Sequence, residues 1–147
     1  MRKKYWVFLL FFIFIFFQVA DIQAQKYEKK FSFSWKSPVT HTFSEERSVS
    51  FMTFEDAVYL QDNPYLPAVY EMIPMPDFYE SYEVTVSHAE YEAVSAAESS
   101  LIPDDFHQKK ISVKTISANE RKRPYLLLSF VPIIETAPGQ YSRLKSV

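Results

Sequence analysis

The sequence predicts an all-β fold, an antiparallel β-sandwich of about seven or eight short strands, placed after an N-terminal signal peptide. Three observations predict it. Apolar and polar residues alternate with a period of two in several stretches. Turn-forming residues separate those stretches at short intervals. No long segment carries the apolar stripe of a helix.

Phe31, Phe33 and Trp35 alternate with Ser32, Ser34 and Lys36, as one face of a half-buried strand does. His41 then alternates with Val39 and Phe43. Val49 and Phe51 alternate with Ser48 and Ser50, and this strand is expected to run on through Phe54 to Tyr59. Residues 69–73 form a weaker strand pattern. Tyr82, Val84 and Val86 alternate with Glu83, Thr85 and Ser87. Tyr91 and Val94 continue that strand after a bulge near His88-Ala89, where the phase slips. Residues 93–101 are rich in Ala and Glu and suit one or two helical turns. Ile111, Val113 and Thr115 alternate with Ser112 and Lys114. Residues 125–134 are apolar on both faces apart from Ser129, the pattern of a central strand, with Pro124 and Pro132 bounding its paired length.

Asn63-Pro64, Pro74-Met75-Pro76-Asp77, Pro103-Asp104-Asp105, Ser117-Ala118-Asn119 and Pro138-Gly139 are the expected turns. Gly139 after Pro138 suits a type II turn, which needs positive φ at its third position. Phe33, Trp35, Phe51, Val84, Val86, Leu126, Leu128 and Phe130 are the expected core. Tyr141 and Leu144 open a last strand that stops in mid-pattern, leaving a partner's hydrogen bonds unmade. This predicts that the domain spanning 25–147 is incomplete at its C-terminus and belongs to a longer protein; a short last strand closing the sheet is the alternative.

The first 24 residues have the layout of a secretory signal peptide. Arg2, Lys3 and Lys4 precede an apolar run of 12 residues at 6–17, and a polar segment leads to Ala24-Gln25. Cleavage is expected after Ala24, although Ile22 fits the small-residue rule only fairly. An uncleaved anchor would use the 16 residues 5–20, short of the usual spanning length of about 17–25. No membrane span is expected after cleavage. The remaining 123 residues carry 13 basic and 17 acidic side chains, which argues against nucleic-acid binding, since that needs clustered Lys and Arg.

A single Gly in 147 residues excludes glycine-rich phosphate loops, dinucleotide fingerprints and the nucleophile elbow. The absence of Cys excludes thiolate metal sites, thiol nucleophiles and internal disulfides. His41, His88 and His107 lack metal-ligand spacing, and no Asp-x-Asp-x-Asp-Gly loop is present for calcium. No metal and no cofactor is expected. Asp104, Asp105 and His107 read as a polar turn, because no Ser beside them has a nucleophile motif. Glu90 and Glu92 share a strand face and read as solvated rather than as a glycosidase pair. Most tyrosines read as core and strand formers, with Tyr65, Tyr79 and Tyr141, beside turns, as the candidate exposed contacts. Arg121-Lys122-Arg123 reads as a charged turn, with processing or docking as its functional alternative. No catalytic residue is assigned.

Two groups of segments resemble a known family. Phe54-Glu-Asp-Ala57-Val-Tyr59 followed by Asn63-Pro-Tyr-Leu-Pro67-Ala-Val-Tyr70-Glu71 resembles the N-terminal region of the type IX secretion system sortase family. Those proteins are PorU-like, gingipain-related cysteine peptidases of the Gram-negative surface. Arg123-Pro-Tyr125-Leu-Leu-Leu-Ser129-Phe-Val-Pro132-Ile133 and Gly139-Gln-Tyr141-Ser-Arg-Leu144-Lys-Ser146 resemble later strands of the same region. Asp56 stands where the family often has Gly. The family's catalytic His and Cys lie in a downstream peptidase domain that nothing here matches. The resemblance therefore implies a non-catalytic N-terminal β-domain with a structural or interaction role. It implies export to the periplasm, outer membrane or cell surface, and partners in the secretion machinery or a downstream peptidase domain. Two other classes stay open: a propeptide-like inhibitor or chaperone of a gingipain-type protease, and a small surface binding module.

Overall fold

The computed structural model describes residues 26–147 apart from 45, 46 and 79–81. The signal-peptide segment and Tyr79 lie outside the described residues. Among the described residues strand takes up 55% and helix 3%, so the all-β expectation holds. The strands are β1 Trp35–Ser44, β2 Arg47–Phe54, β3 Val58–Leu60, β4 Asn63–Pro74 and β5 Glu90–Ala93. They continue as β6 Lys114–Glu120, β7 Arg123–Phe130, β8 Ile133–Ala137 and β9 Gln140–Ser146, and a short helix, α1, lies at Ala96–Ser99. All pairings are antiparallel: β1 with β2, a four-stranded sheet in the order β3-β4-β7-β6, and a three-stranded sheet in the order β5-β9-β8. No helix among the described residues is long and apolar enough to cross a membrane.

Side chains from facing strands bind these layers together. One buried cluster joins Val69 and Ile73 of β4 and Leu126, Leu128 and Phe130 of β7 to Leu144 of β9, with Phe54 and Ile111 beside them. A second joins Met52, Leu66, Ile102, Ile133 and Tyr141. The even-numbered residues 126, 128 and 130 of β7 point inward, and the alternate ones form the outer face. Pro64 and Pro67 fall ahead of Val69, where the ladder to β7 begins, so their missing N–H groups break no bond of that ladder.

The segment 31–33 adds to the second sheet. Phe31 and Val147 exchange backbone hydrogen bonds of 2.7 and 3.0 Å, and Phe33 N–H donates to the Lys145 carbonyl at 2.9 Å. Ser146 pairs Glu90 of β5 on one side and Ser32 on the other. The strand expected to leave hydrogen bonds unmade is thus flanked on both sides.

Several expectations change. The expected strand over Tyr82, Val84 and Val86 does not form; only Glu90–Ala93 pairs. Val84, expected in the core, is 38% exposed, whereas Val86 packs against the first cluster. The slip expected near His88-Ala89 shows as a left-handed His88, φ 56°, and an irregular register between Glu90 and Tyr91. Ser117-Ala118-Asn119 lies inside β6, and the turn falls at Arg121-Lys122. Asn63-Pro64 opens β4, and the turn before it is Gln61-Asp62. The strand expected from Phe54 to Tyr59 breaks at Asp56, whose φ is 62°. The single central strand expected over 125–134 is two, β7 and β8, separated at Val131-Pro132. In β2 the inward residues are Met52 and Phe54 rather than Phe51, one step out of the expected phase. The turn at Pro138-Gly139 forms as expected, with Gly139 at φ 70°.

Candidate functional site

The β1–β2 hairpin forms a two-stranded sheet of its own, with Met52 and Phe54 of β2 buried in the two core clusters, and β1 is exposed along its length after Trp35. Its register sorts its side chains into two faces. Thr40 pairs Ser50 and Thr42 pairs Ser48, with hydroxyl oxygens 2.7 and 3.1 Å apart. Val39 pairs Phe51 and His41 pairs Val49 on the opposite face, which Phe43 shares by alternation. One side of the arm is therefore a Ser/Thr ladder and the other is apolar and aromatic.

The apolar side runs on into the body. The Phe51 ring lies 5.8 Å from His41, 5.6 Å from Tyr59 and 6.4 Å from Tyr65, the last nearly parallel. The Tyr59 hydroxyl donates to the Met52 carbonyl at 2.7 Å, fixing its ring beside the arm. Phe43 is 67% and Tyr65 50% exposed. This is a continuous wet aromatic surface built from β1, β2, β3 and β4. Aromatic rings give large contact area at small cost in side-chain freedom.

An isolated two-stranded hairpin is marginal in water, so its root needs an anchor. Trp35 supplies it. Its indole N–H donates to the Leu144 carbonyl at 2.7 Å, and its ring packs against Phe33 and Phe54. The Arg143 guanidinium lies over the same ring at 5.0 Å and reaches Glu92 at 2.6 Å and Glu98 at 2.7 Å. Glu98 also closes a capping box with Ser95 at the start of α1. Burial pushes the Glu98 carboxyl up, but hydrogen bonds from Ser95 and Arg143 and the Arg143 charge outweigh it, so its pKa is lowered. A register shift between Lys36 and Val39 bends β1 just beyond this anchor. The bend leaves an open groove of ≈ 480 Å³ between Ser37-Pro38 and α1, floored by Trp35 and Arg143.

A second polar cluster lies at the other end of the β8–β9 hairpin. Glu135 is 4% exposed, and its carboxylate accepts from Lys109 at 2.7 Å and lies 3.2 Å from His107 Nδ1. The Lys109 hydrogen bond is the main cause of its lowered pKa. Gln108 donates to the Val131 and Ile133 carbonyls, and Glu135 N–H donates to the Gln108 carbonyl at 2.7 Å. These bonds staple the 103–110 loop to β8. Burial raises the Tyr141 pKa, and the Glu135 charge adds to the effect.

Of the residues singled out in the sequence, Tyr65 lies on the exposed aromatic surface. Tyr141 does not: it is 8% exposed and packs in the second core cluster beside Phe106. Being next to a turn does not expose it, because it points inward on a strand paired on both sides. Glu90 and Glu92 are not equivalent, since Glu92 is tied to Arg143. Arg121, Lys122 and Arg123 are exposed at the β6–β7 turn, where Arg121 and Lys122 have φ 48° and 65°. His41, His88 and His107 stay apart, and among the described residues no group of three His, Cys, Asp or Glu side chains is placed to hold a metal. The arm's apolar face was legible in part as the Val39, His41, Phe43 alternation; its continuation through Tyr59 was not.

No protein-family model, no curated protein and no solved structure matches this chain.

Proposed function

We propose that this chain is a non-catalytic, exported β-domain with an interaction role, equivalent to the N-terminal part of a type IX secretion sortase-like protein. The observation that carries the interaction role is the two-faced β1–β2 arm. A monomeric fold gains nothing from wet aromatic residues aligned on one side of a projecting hairpin, whereas a protein partner laid on that side would desolvate them. The arm's anchor supports the reading, because a contact surface on a hairpin needs a stiff root. The occupant is a protein of the secretion machinery or the peptidase domain of the same parent. The propeptide-like alternative, acting through Arg121-Lys122-Arg123, is less favoured. Two successive left-handed residues make a tight turn, while a peptidase cleft takes an extended segment.

Photo-crosslinking of the exported full-length chain tests this. Benzoylphenylalanine at Val39, Phe43 or Tyr65 is expected to give one discrete protein adduct in the cell envelope, and at Thr40 or Thr42 none. A folded chain with no adduct from any apolar-face position would reject the reading.

A further inference from the structure

β6 closes one side of the four-stranded sheet and, among the described residues, pairs only with β7. It is seven residues long and largely exposed, and Ile116, next to its central Ser117, is 65% exposed. Its ladder determines which backbone groups face outward. The Met75 N–H donates to the Pro124 carbonyl at 2.9 Å, so the backbone polar groups of Pro124 face β4. Asn119, opposite Pro124, must then direct its own N–H and C=O away from β7. The period of two extends this to Ser117 and Thr115. Thr115, Ser117 and Asn119 thus present along one edge donors and acceptors that no other described residue takes up.

The side chains on this strand are self-complementary. Reading Lys114, Thr115, Ile116, Ser117, Ala118, Asn119, Glu120 against itself in reverse places Ser117 opposite Ser117. Lys114 then meets Glu120, Thr115 meets Asn119, and Ile116 meets Ala118. In that register every outward N–H faces an outward C=O, and opposite charges meet at both ends. A lysine at a sheet edge normally discourages pairing. Here it also selects the register, because a slip of two residues removes both Lys–Glu pairs. Lys114 already pairs with Asp62 of its own chain, so Glu120 of the second copy would join a second carboxylate to that ammonium.

The outer face continues the match. Met72, Leu127 and Ile116 lie in one row across β4, β7 and β6. A two-fold axis at Ser117 would carry this apolar row on into the second copy. We propose that the β6 edge is a homodimer interface, in which two copies pair antiparallel about Ser117 to form a continuous sheet of both four-stranded halves. This goes beyond the arm's role and does not depend on what the arm engages.

Sedimentation of the full-length chain, purified from an exporting host, should show the mass of two chains at tens of micromolar. Ser117→Pro removes an outward N–H but no bond to β7, so it should leave a folded monomer. Lys114→Glu and Glu120→Lys should each weaken self-association at least several-fold, and mixing the two variants should restore it. Ser117→Cys gives an internal gauge of register, since the sequence has no cysteine. Opposed residues in such a pair have Cα atoms about 5.5 Å apart, within disulfide reach of about 4.4–6.8 Å. Thr115→Cys would lie about 14 Å from its copy and should cross-link far more slowly. Sedimentation as one chain throughout, a dimer that survives Ser117→Pro, no restoration on mixing, or equal cross-linking of the two cysteine variants would overturn the proposal. Far-ultraviolet circular dichroism on each variant separates loss of pairing from loss of fold.

Discussion

The Arg143 guanidinium sits 5.0 Å from the centre of the Trp35 ring. The indole is held on its edge as well, by its hydrogen bond to the Leu144 carbonyl. Trp35 begins β1, and Arg143 lies mid-strand in β9, paired to both β5 and β8. One contact thus ties the projecting arm to the middle of the second sheet.

Trp35→Ala should therefore cost about 3 kcal/mol through lost packing. Trp35→Phe should cost about 1 kcal/mol, chiefly the lost hydrogen bond. Urea unfolding measures both. Equal losses for the two variants would mean that the ring's packing contributes little. Arg143→Lys should also destabilise the fold, because an ammonium cannot hold two carboxylates and cover a ring with one planar group.

Leu128→Ala should destabilise by about 2–5 kcal/mol, since β7 is central and Leu128 lies in the first core cluster. Met72→Ala, half exposed on the outer face of the neighbouring strand, should fall within about 0.5 kcal/mol. Equal losses at the two positions would mean that the inner and outer faces are misassigned.

Glu135 and Glu98 both have folded pKa values below the ordinary carboxylate value of 4.5. A depressed carboxylate adds stability above its unfolded pKa and loses it as pH falls through the folded value. The chain should therefore lose stability on acidification from about pH 4.5 downward. Glu135→Gln should flatten that acid limb in urea unfolding followed from neutral to acid pH. An unchanged slope would mean that the Lys109 and His107 contacts do not persist in solution.

Gly139→Ala should cost about 1 kcal/mol. The residue has φ 70°, and an added Cβ would meet nothing within 4 Å, so the whole effect is backbone strain. Gly139→Asn should cost less, because Asn tolerates the left-handed region better. Thermal unfolding ranks the three, and a neutral Ala variant would mean that the turn relaxes.

Leu126, Leu128 and Phe130 were readable as core because residues 125–134 are apolar on both faces apart from Ser129, the pattern of a central strand. The Pro138-Gly139 turn was readable because a residue with φ of 70° favours glycine. Ser117-Ala118-Asn119 misled for a related reason. Small polar residues favour turns, yet here they sit on a sheet edge, where their exposure suits a strand equally well. The turn fell instead at Arg121-Lys122, within the basic run that the sequence read as a charged turn, and the pairing of Glu120 with Arg123 leaves it no other place. Val84 looked like core by alternation, but no partner strand reaches that segment.

Alternation along the chain was enough to establish an all-β protein, because side-chain direction in a strand depends only on local geometry. The burial of Tyr141, the two faces of the arm and the outward row on β6 were decided by tertiary structure. Each depends on which strand lies alongside and in what register, and that follows from contacts between residues far apart in sequence.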